Sequence, residues 1–318
     1  SWYGGILFVA VTLNFALPRL APGDPAYFLI GRTVSELTVE QRQALLAEVG
    51  LDRPLLEQYR RYIAGIFTGD WGVSLRYGTP VTSVLAERLP WTLLLGGSAM
   101  VLSVGLGIGL GAFAAWKRGR KEDFGSLSMA MLFDSMPPFV VAMILIGVFS
   151  VTLGWLPAFG AVHPDAMTGP AFVWETFRRM ILPVVTLTIT HIGGLFLITR
   201  FSMMNAMNED YVVMAAAKGI GEGAIAFRHA LPNALLPIYT NITVSIGTFM
   251  GGNVVVETVF SYPGLGRLIY DSVFARDYNV LQGAFLLVVV LVVGVNFLAD
   301  LTYPLFDPRI RRRAGTAT

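Results

Sequence analysis

Six long apolar stretches, almost free of charged side chains, constrain this chain more than any other feature of its sequence. They cover residues 2–17, 91–116, 126–153, 180–199, 234–256 and 280–298. A helix needs about 20 apolar residues to cross the hydrocarbon core of a bilayer, where it satisfies its own backbone hydrogen bonds. The pattern therefore predicts an all-α membrane protein with six transmembrane helices.

The composition agrees with this class of protein. Of the 318 residues, 54% are hydrophobic and 14% are charged, whereas a soluble domain carries about 25% charged residues. The net charge of +2 gives no support for nucleic acid as a partner. The chain has no cysteine, which excludes disulfides, zinc–thiolate sites and iron–sulfur clusters.

Lysines and arginines between the apolar stretches predict the orientation, because short loops with an excess of these residues stay in the cytosol. They are concentrated after the second and fourth stretches and in the C-terminal tail: Lys117, Arg118, Arg120, Lys121, Arg200, Lys218, Arg228, Arg309, Arg311, Arg312 and Arg313. Both termini are therefore predicted to be cytoplasmic. The first stretch is predicted to be a retained helix rather than a signal peptide, because Pro18 and Arg19 close it without a clean cleavage site.

The prediction divides the chain into transmembrane helix 1 (residues 1–20), a helical extracytoplasmic segment (21–90) and a core with transmembrane helices 2–6 (91–318). Within the outer segment, residues 41–49 are typical of a capped amphipathic helix. Residues 54–67 predict a second helix, with Tyr59, Tyr62, Ile63 and Phe67 on one face. We expect this segment to cap the outer mouth, and direct docking of an extracellular partner is compatible with that role.

Residues 200–233 form a cytosolic loop that is too polar to span the membrane. The pattern predicts two short helices joined at Gly219, with Pro232 limiting the second. Residues 215–217 are all alanine, so that a partner could approach the first helix closely. The alternative is an amphipathic hairpin lying on lipid headgroups.

Residues 210–237 resemble the EAA loop of permease subunits in binding-protein-dependent ATP-binding-cassette importers. Gly219 and the pair Leu231-Pro232 stand at the spacing of that motif. His229 occupies a position that is usually aliphatic, and Val213-Met214-Ala215 replaces Glu-Ala-Ala, so the glutamate is missing. In that family the loop forms a coupling helix that sits in a groove of the ATPase subunit.

Other stretches resemble the peptide and nickel branch of this family, which also lacks the glutamate. They are Asp210-Tyr211, Arg228-His229-Ala230-Leu231, residues 20–26 and residues 257–268. The long first outer loop is similar to that of the first of the paired permeases in dipeptide and oligopeptide systems. The resemblance implies the fold of a type I importer permease and peptides as substrates, with nickel chelates or glutathione as the alternative.

The resemblance also implies partners and roles. A second homologous permease, two ATPase subunits, an extracytoplasmic solute-binding protein and membrane lipid would surround this chain in a bacterial inner membrane. ATP and Mg would be bound by the ATPase subunits, so this chain would be non-catalytic and hold no cofactor or metal. The residues implied in coupling are Asp210, Tyr211, Ala215, Ala216, Ala217, Gly219, His229, Leu231 and Pro232.

Five further residues are candidates to line the pathway or an outer gate: Asn241, Asn253, Glu257, Pro263 and Gly264. Amides inside spans also form bonds between helices, and a Pro-Gly pair also makes a simple tight turn. These structural alternatives remain open for Asn241, Asn253 and the turn at Pro263.

Two other classes of function fit the sequence less well. A secondary transporter is expected to show intramembrane carboxylates or inverted repeats, and beyond Asp134 and Asp300 we find neither. An intramembrane enzyme needs a nucleophile and base or clustered ligands, yet His163, His191 and His229 fall in different segments. Asp134 is expected to cap a helix near the cytosol rather than to hold an ion.

Overall fold

The computed structural model describes residues 2–20, 52–161 and 169–306, together with the isolated positions 38, 40, 43 and 47. These ranges are helical and contain one isolated bridge, between Val73 and Pro80. The helices are α1 (Trp2–Leu20), α2 (Leu55–Thr68), α3 (Val81–Trp116), α4 (Lys121–Asp134), α5 (Pro138–Leu145), α6 (Pro170–Ala206), α7 (Asp210–Ala217), α8 (Glu222–Ala224), α9 (Leu231–Met250), α10 (Val254–Val259), α11 (Leu265–Ala275) and α12 (Tyr278–Phe306). Two π-helical segments, Ile146–Thr152 and Ile225–Ala230, extend α5 and join α8 to α9.

Three of these helices are long and apolar enough to cross a membrane without a break: α3, α6 and the Tyr278–Thr302 part of α12. They contain the predicted spans 91–116, 180–199 and 280–298. Helices α3 and α6 begin about ten residues before those spans, since they run past the apolar layer, with Pro90 and Pro183 inside them. Residues 81–90 therefore belong to the same helix as the second predicted span.

The other predicted spans have less regular counterparts. Stretch 126–153 is broken between α4 and α5, which meet at a bend of 102°. The apolar part of α1 is short, Trp2–Ala16, and α9 ends at Met250, before the predicted limit at residue 256. The all-helical class is confirmed, whereas the count of six spanning helices remains a prediction.

Asp134 does not cap a helix start. It is the last residue of α4, and the residue before α5 is Pro137, without a side-chain capping bond. The prediction of a capping role was therefore wrong, because the paired prolines that follow Asp134 start a new helix by themselves.

The outer segment is anchored through α2. Tyr59 and Tyr62 pack against Phe15 of α1, with ring centroids 5.1 and 5.5 Å apart. The predicted helix at 54–67 is thus confirmed, but Phe67 is exposed rather than packed on this face. The predicted helix at 41–49 lies almost entirely outside the described residues.

The main core lies between α3 and α6, which cross in close contact. One half contains Leu95, Leu187, Phe260 and Tyr262, and α5 packs against the same cluster. A second cluster joins α3, α6 and α9 to the π segment 225–230. The two clusters hold residues 210–230 and the turn at residues 261–264 at opposite ends of one helix pair.

Candidate coupling surface and outer junction

The loop that is predicted to be cytosolic folds into a compact projection, here named the coupling knob (residues 210–230). Helix α7 ends at Ala217, and Gly219 has a φ of 77°, a left-handed conformation that glycine adopts without strain. The chain then turns into α8 and the π segment that leads into α9. The first short helix and the glycine joint are therefore present. The prediction that Pro232 limits the second helix was wrong, because the π segment continues directly into α9, where a proline in the first turn is tolerated.

Specific contacts fix the coupling knob to the membrane helices. The hydroxyl of Tyr211 donates to the carbonyl of Ala206 at 3.0 Å, which ties α7 to the end of α6. On the other arm, Phe227 packs edge-on against Trp116 at 5.9 Å between ring centroids. The ammonium of Lys117 lies 3.9 Å from the centre of the Trp116 ring. The coupling knob is thus attached to the C-terminal ends of both α3 and α6.

The three alanines of α7 do not share one face, because successive helical residues are about 100° apart. Ala215 is buried against the chain, while Ala216 and Ala217 are exposed. Val213 and Met214 are 67% and 63% exposed, so the coupling knob presents two large apolar side chains next to each other. The accessible surface of the coupling knob is therefore residues 213, 214 and 216–219, without Ala215.

The remaining coupling candidates lie around this surface. Asp210 is exposed in the first turn of α7, where its charge complements the helix dipole. The carbonyl of His229 accepts a 2.8 Å hydrogen bond from the Asn233 side chain. Leu231 packs on the cytosolic cluster, and Pro232 is exposed in the first turn of α9. These four residues shape the base of the coupling knob rather than its exposed tip.

A part-buried ion pair between α4 and α6 was missed by the sequence reasoning. Arg200 donates from Nε and Nη2 to the two carboxylate oxygens of Asp123, at 2.7 and 2.9 Å. The side chains are 11% and 7% exposed, and Asp123 also accepts from the backbone N–H of Gly119 at 3.0 Å. This two-pronged contact clamps α4 to α6, the helix that carries the coupling knob.

On the opposite side, Glu257 forms the centre of what we name the outer junction (Thr92, Glu257, Gly264, Leu265 and Arg267). The glutamate is 1% exposed. Its carboxylate accepts from the Thr92 hydroxyl at 3.1 Å and from the backbone N–H of Arg267 at 3.0 Å. The Thr92 hydroxyl in turn accepts from the N–H of Leu265 at 2.7 Å. Thr92 and Glu257 thus accept hydrogen bonds from the first turn of α11, whose backbone N–H groups have no acceptor inside the helix.

Gly264 and Gly266 are required for this close approach. A Cβ on Gly264 would overlap the Glu257 carboxylate, and a Cβ on Gly266 would lie 2.7 Å from the backbone nitrogen of Val254. Burial raises the pKa of Glu257, against the opposing effect of its N–H and hydroxyl donors. The junction therefore holds a desolvated carboxyl group in a fixed frame.

The structure brings only some of the predicted gate residues together. Glu257 and Gly264 are in contact, and Pro263 adjoins them half-buried. Asn253 lies one turn before Glu257. Its backbone carbonyl accepts a 2.9 Å hydrogen bond from the backbone N–H of Glu257. Asn241 is separate, half-buried within α9.

Thr92 was missed because it looks like an ordinary polar residue inside an apolar stretch. Among the described residues, no group of three or more His, Asp or Glu side chains could hold a metal ion.

Comparisons with known proteins show the family of this chain. Residues 107–312 match the family described as "Binding-protein-dependent transport system inner membrane component". Residues 5–96 match "Binding-prot-dependent transport system membrane comp, N-term". Together the two matches include the coupling knob, the outer junction and the first helix.

Curated relatives cover nearly the whole chain. "Probable peptide ABC transporter permease protein y4tP" of Sinorhizobium fredii is 40% identical over 93% of this chain and 92% of its own length. "Dipeptide transport system permease protein DppB" of Escherichia coli is 37% identical over 96% and 95% of the two chains. "Oligopeptide transport system permease protein AppB" of Bacillus subtilis is 37% identical over the same shares.

Among solved structures, the fold is similar to a chain in "Inward facing conformations of the MetNI methionine ABC transporter". The TM-score is 0.58 at 17% identity, over 70% of this chain and 96% of that one. This likeness supports the helical permease fold. With the family matches and the relatives' identity over almost all of the sequence, it leads to one conclusion: this multi-pass membrane protein belongs to the family of inner membrane components of binding-protein-dependent transport systems.

Proposed function

We propose that this chain is a permease subunit of an ATP-binding-cassette importer that carries peptides into the cytoplasm. It pairs with a second permease, and two ATPase subunits dock on the cytosolic side. A binding protein delivers the peptide from outside. The chain itself is non-catalytic, because nucleotide and Mg belong to the ATPase subunits. Both termini face the cytoplasm, in a bacterial inner membrane.

The exposed surface of the coupling knob carries this proposal. Val213 and Met214 present apolar area to the cytosol, and Ala216 beside them leaves room for a close contact. Exposed apolar side chains of this size mark interaction sites. Because the coupling knob is attached to α3 and α6, a force applied to it acts directly on the helix pair at the centre of the fold.

Peptides are supported as the substrate by the relatives that match over almost the full length. Their names refer to peptide, dipeptide or oligopeptide transport. Nickel chelates and glutathione have no comparable support. The outer junction also lies on the side from which a binding protein would deliver its load.

The test compares Ala216→Trp with Ala275→Trp in the purified complex. Both replace an exposed alanine, but Ala275 lies at the end of α11, away from the coupling knob. A bulky side chain at Ala216 should weaken ATPase binding at least about tenfold, equivalent to about 1.4 kcal/mol, while Ala275→Trp should not.

Two measurements follow the effect: the amount of ATPase subunit that copurifies with the permease, and peptide-stimulated ATP hydrolysis after reconstitution. Loss of both in Ala216→Trp alone is the expected result. Native copurification and stimulation in Ala216→Trp would contradict the docking role and favour a helix hairpin that lies on lipid.

A further inference from the structure

The break between α4 and α5 places irregular backbone inside a predicted span. Ser135, Met136 and Pro137 separate the two helices, and Ser135 and Pro137 are exposed. Non-helical backbone at membrane depth is tolerated where it is buried in protein or lines a water-filled cavity, and not where it faces lipid. In the assembled transporter, this break must therefore face protein or water.

Asp134 lies at this break and is exposed. The Asp134 side chain packs against Gly193 of α6. A Cβ added to Gly193 would lie 2.6 Å from the Asp134 Cβ and 2.8 Å from the Asp134 Oδ1. Gly193 precedes Arg200 by seven residues along α6, which places it roughly 10 Å from the Asp123–Arg200 pair. The Asp134 carboxyl group therefore lies about two helical turns along α6 from this ion pair.

No other residue that the structure describes forms a hydrogen bond or an ion pair with the Asp134 side chain. A charged side chain at the centre of a membrane helix costs about 2.5–3.5 kcal/mol, and such residues face a bundle interior or a watery cavity. The carboxylate also stands at the C-terminal end of α4, where the helix dipole adds negative potential. The position thus attracts a cation.

The side chains around the break are apolar and deformable. Met131 lies one turn before Asp134, and Phe139 and Met143 lie one turn apart on the other side of the break. All three are about half exposed or more. Methionine is flexible and polarizable, and it adapts to partners of different shape. A fixed negative charge among such side chains suits ligands that share a cationic group and differ elsewhere.

We propose that Asp134 and the broken helix around it line the translocation pathway, where the carboxylate binds the terminal ammonium group of a peptide in transit. This inference rests on the proposed function, because it names the chemical group that the pathway recognises. Free peptides share this ammonium group and vary in their side chains, which matches a charge surrounded by adaptable apolar residues.

The first test uses the absence of cysteine from this chain. Asp134→Cys in the reconstituted complex should react with a water-soluble cationic methanethiosulfonate, and saturating trialanine with binding protein should slow that reaction. Leu132→Cys is the control, because Leu132 is also exposed but lies about 200° around the same helix. It should react at least about tenfold more slowly. An unreactive Asp134→Cys would overturn the proposal.

The second test measures trialanine uptake and ATP hydrolysis together in Asp134→Asn, Asp134→Glu and the control Glu122→Gln. Glu122 is an exposed carboxylate at the cytosolic end of the same helix. Asp134→Asn should lower uptake per ATP hydrolysed about tenfold while peptide-stimulated hydrolysis stays within about twofold. Asp134→Glu should retain most of the uptake, and Glu122→Gln should behave as native.

The other possible results for Asp134→Asn and for the native complex also distinguish between the hypotheses. Native uptake per ATP in Asp134→Asn overturns the proposal, and so does loss of the second permease from the Asp134→Asn complex, which would assign the carboxylate to a contact between subunits. If the native complex hydrolyses ATP but takes up no trialanine, the proposed function fails. The labelling of Asp134→Cys then still decides whether this position faces water.

Discussion

Two glycines one helical turn apart, Gly107 and Gly111, control how closely α3 approaches α6. A Cβ on Gly107 would lie 2.7 Å from the Cβ of Leu195. A Cβ on Gly111 would lie 2.7 Å from both the carbonyl oxygen of Phe196 and the Cβ of Thr199. Small residues at this spacing let helix backbones pack closely in membranes, where dispersion contacts drive association.

The cost of alanine at either position follows from these distances. Ordinary contacts begin at 3.4 Å, so the helices would have to separate by roughly 0.7 Å, and overpacking of this kind costs about 1–3 kcal/mol. The double variant Gly107→Ala/Gly111→Ala should lose less stability than the two single variants added together, because one separation of the helices relieves both clashes. Backbone atoms form part of the contact, so side-chain rotation cannot remove the strain.

The same helix provides matched controls. A Cβ on Gly105 or Gly109 would meet no atom within 4 Å, and alanine there should be neutral or stabilise by up to about 1 kcal/mol through helix propensity. Thermal unfolding of the detergent-solubilised complex, followed by tryptophan fluorescence, compares the four single variants. Equal effects at all four positions would refute the close-contact reasoning and indicate a general response to lost glycine flexibility.

Three further predictions concern the cytosolic and outer ends. Asp123→Asn should destabilise the chain by about 1.5–3 kcal/mol in thermal or denaturant unfolding, because it removes the charged partner of the part-buried Arg200 guanidinium. Gly219→Ala should cost about 1–2 kcal/mol because its φ is positive, and Gly221→Ala, at a φ of −66°, should be tolerated in the same assay. Burial raises the pKa of Glu257, so the folded chain keeps the carboxyl proton to a higher pH than the unfolded chain does. The stability of the folded chain therefore falls as pH rises through the raised pKa. The melting temperature of Glu257→Gln relative to native should therefore rise as the pH rises above about 4.5, the ordinary pKa of glutamate. A difference that stays constant with pH would contradict the raised pKa.

The helix class and most helix positions could be predicted from the sequence because hydrocarbon imposes a simple rule. The stretches at 91–116 and 280–298 lie within α3 and α12 for this reason. The break at Asp134 could not be predicted from hydropathy alone, since one carboxylate and two prolines hardly change the average over 28 residues. The sequence contained the signal in the succession Asp134 to Pro138, but only the helix directions show a bend of 102°.

The contacts that build the site were less predictable. Asp123 and Arg200 are 77 residues apart, and Thr92 and Glu257 are 165 residues apart. Arg200 in the sequence indicates only the side of the membrane, because surface and buried arginines look alike before folding. The alanines at 215–217 were grouped by their adjacency, whereas helical geometry turns Ala215 inward and leaves Ala216 outside.

A single helix connects the coupling knob with the outer junction. Helix α3 carries Thr92 at the outer junction and Trp116 beside Phe227 of the coupling knob, a length of roughly 36 Å at 1.5 Å per residue. Gly107 and Gly111 fasten the intervening part of α3 to α6, and α6 is tied to the coupling knob through Tyr211. A displacement of the coupling knob therefore acts on two helices that are closely packed against each other, so we expect the pair to move as one rigid body. Because the Thr92 hydroxyl holds the first turn of α11 at the outer junction, we expect this movement to reach α11 without a chain of local rearrangements in between.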